Sequence, residues 1–81
     1  MSIYIFPEKF GKLEITPSSI EVDFKTLVQY PNSSTFDVDV LLITQGTYYV
    51  HQFKGLPYVG QLTNSEVEKV ALNGLNEFIK R

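Results

Sequence analysis

Residues 37–54 write out a β-hairpin whose two faces both carry apolar side chains, and few other folds accommodate that pattern. Gln45-Gly46 separates two alternating runs, and glycine readily takes the positive φ of a tight hairpin turn. A two-residue loop sets Thr44 opposite Thr47, Leu42 opposite Tyr49, Val40 opposite His51 and Val38 opposite Phe53. That set is one nearly continuous apolar face, which gives the register a physical reason to hold. Asp37 and Lys54 fall opposite each other on the second face, as an attractive cross-strand pair. One apolar face suffices for the core of a chain of 81 residues, which is one domain (residues 1–81) with one modest core. The second apolar surface needs its own explanation.

Upstream, Ile20, Val22, Phe24, Thr26 and Val28 alternate with Glu21, Asp23, Lys25, Leu27 and Gln29, the period-2 pattern of a half-buried strand. Residues 31–35 form a loop by composition, and pairing Tyr30 with Phe36 sets Val28 against Val38 and Phe24 against Leu42. The short turn Thr16-Pro17-Ser18-Ser19 would bring Leu13 and Ile15 against Val22 and Ile20, with Lys12 opposite Asp23. It would also set Glu14 against Glu21, which is unfavourable. Residues 3–6 supply a further edge strand before Pro7. From residue 63 the period changes. Thr63-Asn64-Ser65-Glu66 is a capping box, with Leu62 and Val67 as its hydrophobic staple. Val67, Val70, Ala71, Leu75 and Phe78 form one helical stripe, with Lys80 and Arg81 at the end favoured by the helix dipole. Gly74 lies in that stripe, where glycine costs ~1 kcal/mol against alanine, and its use is a close approach to an aromatic ring beneath. The expected fold class is α+β: a four- or five-stranded antiparallel meander with one C-terminal helix packed across one face.

Composition narrows the function. There is no cysteine, so disulfide frameworks and thiolate metal sites are excluded. A net charge of −2 lacks the basic footprint of a phosphate-tracking surface. No apolar run approaches the ~18–20 residues that span a bilayer, and the start Met1-Ser2-Ile3-Tyr4-Ile5-Phe6 lacks the charged flank of a signal peptide. The expected location is the cytoplasm.

The residues that carry chemistry are few. His51 is the single histidine, and the hairpin register turns it toward the core with no carboxylate beside it on that face. One histidine without cysteine builds no transition-metal site unless carboxylates supply the rest. Asp37 and Asp39, with Glu21 and Asp23, share a sheet face, but a flat face lacks the concavity that acid–base or Mg²⁺ chemistry needs. The serines sit in turns or caps with no base assigned beside them. The segment 54–60 matches neither a Walker loop nor a dinucleotide fingerprint and reads as a connection, in which Leu56 and Tyr58 are expected to be exposed. No enzymatic activity, metal or cofactor is therefore expected.

Leu27, Leu41, Ile43, Tyr48 and Val50 remain, all directed away from the expected helix. Glu21, Asp23, Asp37 and Asp39 ring them, with Lys12, Lys25 and Lys54 interspersed. An apolar patch with a charged rim is the anatomy of a protein-binding surface. Three occupants compete for it: the N-terminal residues 3–6 of the same chain, a second copy in a homodimer, or a separate host protein with basic neighbours around an apolar contact. The expected partner-binding set is Leu27, Leu41, Ile43, Tyr48, Val50, Asp23, Asp37 and Asp39. The expected function is a non-enzymatic protein-interaction domain, an accessory or inhibitor protein of the phage or mobile-element kind. The alternative is a small nucleic-acid-binding module using Tyr48, Tyr58 and the lysines. Asp37-Val38, Leu41-Leu42, Tyr48-Tyr49 and Lys54-Gly55-Leu56, followed by a short helix, resemble the small phage inhibitors of uracil-DNA glycosylase. The shared positions are mainly ones that any hairpin uses, and the resemblance assigns no residue a role.

Overall fold

The computed structural model describes residues 2–80. In chain order the elements are β1 (Tyr4–Glu8), β2 (Gly11–Ile15), β3 (Ser19–Tyr30), β4 (Thr35–Thr44), β5 (Thr47–Pro57) and α1 (Asn64–Leu75), followed by a 3₁₀ turn at Asn76–Phe78. All strand pairs are antiparallel, in a two-stranded sheet β1-β2 and a three-stranded sheet β3-β4-β5. The fold is α+β.

The β4–β5 hairpin takes the register its pattern dictates, with Thr44 opposite Thr47, Leu42 opposite Tyr49, Val40 opposite His51 and Val38 opposite Phe53. Gly46 has φ +82°, the left-handed conformation that the turn demands. Phe36, Val38, Val40 and Leu42 are all buried on one face of β4. Each such side chain contributes roughly 1.5–3 kcal/mol by leaving water.

That face is covered by α1 through Val67, Ala71 and Leu75. Thr63 caps the helix, its Oγ accepting from the Glu66 N–H at 3.2 Å. Gly74 passes directly over Phe53: a Cβ placed there would lie 3.0 Å from the ring Cε1. The helix ends at Leu75 with no basic residue in its last turn, so Lys80 does not serve its dipole. Lys80 lies beyond the 3₁₀ turn, where its N–H donates to the Ile3 carbonyl at 2.7 Å and its Nζ meets Glu14 at 3.4 Å. Arg81, expected to act with it, lies outside the described residues.

One expected strand pairing is not formed, so the strands make two sheets and not one meander. β2 pairs with β1, not β3: Leu13 is opposite Phe6 and Ile15 opposite Tyr4. This removes the Glu14–Glu21 repulsion that a β2–β3 pairing would carry. Phe6 then stacks on Phe78 at 4.8 Å and packs against Tyr49 at 5.1 Å, so the β1-β2 hairpin lies on the same face of the large sheet as the helix.

β3 also differs. Its lower half pairs as expected for an antiparallel neighbour of β4, but with Ile20 opposite Leu42 and Val22 opposite Val40. Between Asp23 and Val28 the register shifts, and above the shift Val28 faces Asp37 and Gln29 faces Phe36. Thr26 holds the irregularity: its hydroxyl donates to the Asp23 carbonyl and accepts from the Asp39 N–H, both at 2.8 Å. A side chain thus replaces a ladder bond. The extra residues reverse the expected facing, since a shift by an odd number exchanges the two sides of a strand. Leu27 packs against the core, whereas Val28 is 47% exposed.

Candidate functional site

Cross-strand partners share a face, so on the side of the large sheet away from the helix the pairings define three rows between the Gln45-Gly46 turn and the register shifts, beyond which the face continues through Val28–Asp37 and Tyr30–Thr35. The three rows are Ser19–Ile43–Tyr48, Glu21–Leu41–Val50 and Asp23–Asp39–Gln52. The first two rows place Leu41, Ile43, Tyr48 and Val50 side by side. Tyr48 is 67% and Val50 37% exposed, while Leu41 and Ile43, flanked on both sides by strands, are half-buried. The N-terminal residues do not cover this patch. Tyr4 and Phe6 are buried in the core on the opposite side, which overturns the intramolecular reading of the second apolar surface.

The expected membership changes at three places. Leu27 leaves the patch, because the β3 irregularity turns it inward. Lys12 leaves the rim, because β2 is not part of the large sheet. Asp37 does not pair with Lys54: a second register shift sets Asp37 opposite both Lys54 and Gly55, and its Oδ1 accepts from the Gly55 N–H at 2.9 Å. Its Oδ2 accepts from the Tyr30 hydroxyl at 3.0 Å, and that bond together with the nearby negative charge raises the Tyr30 pKa above its ordinary value. Gly55 takes φ +71°, as the residue at such a bulge needs. Asp37 is therefore a bracket for the bulge.

The remaining acids form the middle of the face, between the apolar patch and the exposed Val28 and Tyr30. Asp23 and Asp39 are directly opposite, and Asp23 Oδ1 accepts from the Lys25 N–H at 3.1 Å. Glu21 is exposed beside Leu41. The face thus grades from apolar near the Gln45-Gly46 turn to acidic toward Asp39. Gln52 and Ser19, which complete two of the rows, carry no signal in the sequence because polar outward residues look alike without a register.

His51 is enclosed by rings: Phe6 at 4.9 Å, Phe53 edge-on at 4.6 Å and Phe78 at 4.8 Å between centroids. Burial lowers its pKa below the ordinary histidine value. Among the described residues no hydrogen-bond partner engages it. Tyr58, expected on the surface, is 8% exposed and accepts from the Gln29 side-chain amide at 2.8 Å. Leu56 likewise packs against the core. Tyr49 and Phe53 face the same interior, and of the two tyrosines expected to serve a nucleic-acid-binding module only Tyr48 is on the open face. Among the described residues, no group of three or more potential ligand side chains is arranged to hold a metal ion, and no helix is long and apolar enough to cross a membrane.

Compared with protein-family models, curated proteins and solved structures, the chain matches none. The resemblance to phage inhibitors of uracil-DNA glycosylase gains no support from those comparisons.

Proposed function

We propose that the chain is a non-enzymatic protein-interaction domain, acting as an accessory or inhibitor protein that binds a partner protein through the open face of β3, β4 and β5. The observation that supports this reading is the row pair Ile43–Tyr48 and Leu41–Val50, an apolar surface that the chain's own helix and hairpin leave uncovered. Those elements already have a face to cover, and it is the other one. Contact with Leu41, Ile43, Tyr48 and Val50 would supply desolvation, while Glu21 and Asp39 favour basic groups at the partner's edge. The enclosure of His51 by three aromatic rings favours a packing role for the one histidine over acid–base work.

Site-specific photocrosslinking in the native host tests the reading. A photoreactive residue replacing Tyr48 is expected to give a discrete adduct with a protein other than this chain, one that is lost in Leu41→Asp. The same residue at exposed Glu68 on the helix is expected to give none. No adduct with another protein from position 48, or the same adduct from both positions, would contradict it.

A further inference from the structure

β5 is an outer strand: β4 lies on one side of it, and among the described residues no strand lies on the other. Its two-residue turn makes Thr44 and Thr47 a mutually hydrogen-bonded pair, and in an antiparallel ladder every second pair then does the same. Leu42/Tyr49, Val40/His51 and Val38/Phe53 are those pairs. The backbone N–H and C=O groups of Tyr48, Val50 and Gln52 therefore point away from β4, along the free edge. All three residues are exposed.

Proteins defend such edges with charge, proline, a bulge or a covering segment. The other outer strand, β3, carries Glu21, Asp23 and Lys25 and is broken by the shift between Asp23 and Val28. β5 has its proline and its bulge only at the far end, at Pro57 and beside Asp37. From Thr47 to Phe53 it pairs with β4 without a shift and contains no Asp, Glu, Lys or Arg. One edge of the sheet is defended and the other is open.

We infer that the β5 edge pairs with the β5 edge of a second copy of this chain, antiparallel across a two-fold axis, joining two three-stranded sheets into one of six strands. A second copy is the occupant because the edge is complementary to itself. An axis centred on Val50 sets Val50 opposite Val50, Tyr48 opposite Gln52 and Tyr49 opposite His51, and each outward N–H meets an outward C=O. Charge agrees. Glu21 and Asp23 lie on β3, two strands from the edge and so about 10 Å away at ~4.8 Å per strand. The nearer Asp39, on β4 opposite Gln52, shares its row with Tyr48 and Ile43 of the other copy and with no acid of that copy. Lys54 falls opposite the Gly46 turn of the other copy, where there is no charge to repel it. The two-fold axis is perpendicular to the sheet, so both open faces lie on the same side. The row Leu41–Val50 of one copy continues into Val50–Leu41 of the other. Pairing through the edge thus doubles the open face without covering it, and is a contact separate from the partner binding proposed above.

Sedimentation equilibrium over a concentration series tests this on the full chain, alongside amide hydrogen exchange. Wild type is expected to approach twice the chain mass with rising concentration, with exchange at Tyr48, Val50 and Gln52 slowing in parallel. Gln52→Pro removes an N–H that points to the edge and none that bonds β4, so it is expected to remain folded and stay monomeric. Should that variant fail to fold, Val50→Lys places two like charges across the axis and is expected to be monomeric. Leu41→Asp is expected to retain the dimer, which separates the edge from the open face. A wild type that is monomeric throughout would overturn the inference. So would a dimer that survives in folded Gln52→Pro or Val50→Lys, or one lost in Leu41→Asp alone.

Discussion

Gly74→Ala should reverse the usual rule for glycine in a helix. At an exposed interior position the exchange stabilises by ~1 kcal/mol, through backbone entropy in the unfolded chain. Here the new Cβ would lie 3.0 Å from Phe53 Cε1 and 3.1 Å from Cζ. Carbon atoms rest at about 3.5–4.0 Å, so the ring or the helix must give by roughly half an ångström. The Phe53 ring has little room to give, since His51 packs edge-on against it at 4.6 Å. Overpacking of this kind costs about 1–3 kcal/mol, which offsets or exceeds the propensity gain. Gly74→Ala should therefore leave stability between unchanged and about 2 kcal/mol lower. In a Phe53→Leu background the contact is gone, and the same exchange should stabilise by ~1 kcal/mol. The four proteins form a double-mutant cycle with a coupling of about 1–3 kcal/mol, readable from urea unfolding followed by circular dichroism. A gain of ~1 kcal/mol from Gly74→Ala in the wild-type background would refute the packing of α1 on Phe53.

Thr63→Ala removes the acceptor of the Glu66 N–H and should cost about 1 kcal/mol in the same assay, while Thr63→Ser should restore most of it. His51 has a lowered pKa in the folded chain, so its neutral form is the one the fold accepts. Stability should be full above the unfolded histidine value near ~6.5 and decline as pH falls below it, levelling off under the folded value. His51→Gln should flatten that decline in urea midpoints measured across pH, and an unchanged slope would argue against the enclosed ring. Asp37→Asn removes the negative charge that raises the Tyr30 pKa, so ultraviolet titration should show Tyr30 ionising at lower pH than in wild type.

The parts legible in the sequence are those fixed by nearest neighbours along the chain. Gln45-Gly46 places β4 against β5, because a two-residue loop leaves one register and that register unites Val38, Val40 and Leu42 with Tyr49 and Phe53. Thr63 and the stripe Val67, Ala71 and Leu75 give the helix for the same local reason. The partner of β2 was not legible, because Leu13 and Ile15 alternate equally well against Val22 and Ile20 or against Phe6 and Tyr4. What decides it is the distant Phe6–Phe78 stack and the bridge between Tyr4 and Ile79. The β3 irregularity was hidden for a related reason. Alternation runs unbroken from Ile20 to Val28, and the break is made by the Thr26 hydroxyl substituting for backbone partners. That single local bond decides whether Leu27 or Val28 faces outward. Asp37 is ambiguous in the same way, since its charge suits Lys54 while its geometry serves Gly55 and Tyr30.

The central claim is that the open face is reserved for a partner and contributes little to the fold. Tyr48→Thr combined with Val50→Thr tests it most directly, because threonine keeps the strand propensity of both sites while removing the apolar contact area. Stability from urea unfolding and adduct formation by a photoreactive residue at Ile43 should be measured on the same protein. Stability is expected to stay within about 1 kcal/mol of wild type, as for exposed sites away from the core, together with loss of the adduct. A loss of several kcal/mol, or an adduct that persists undiminished, would contradict it.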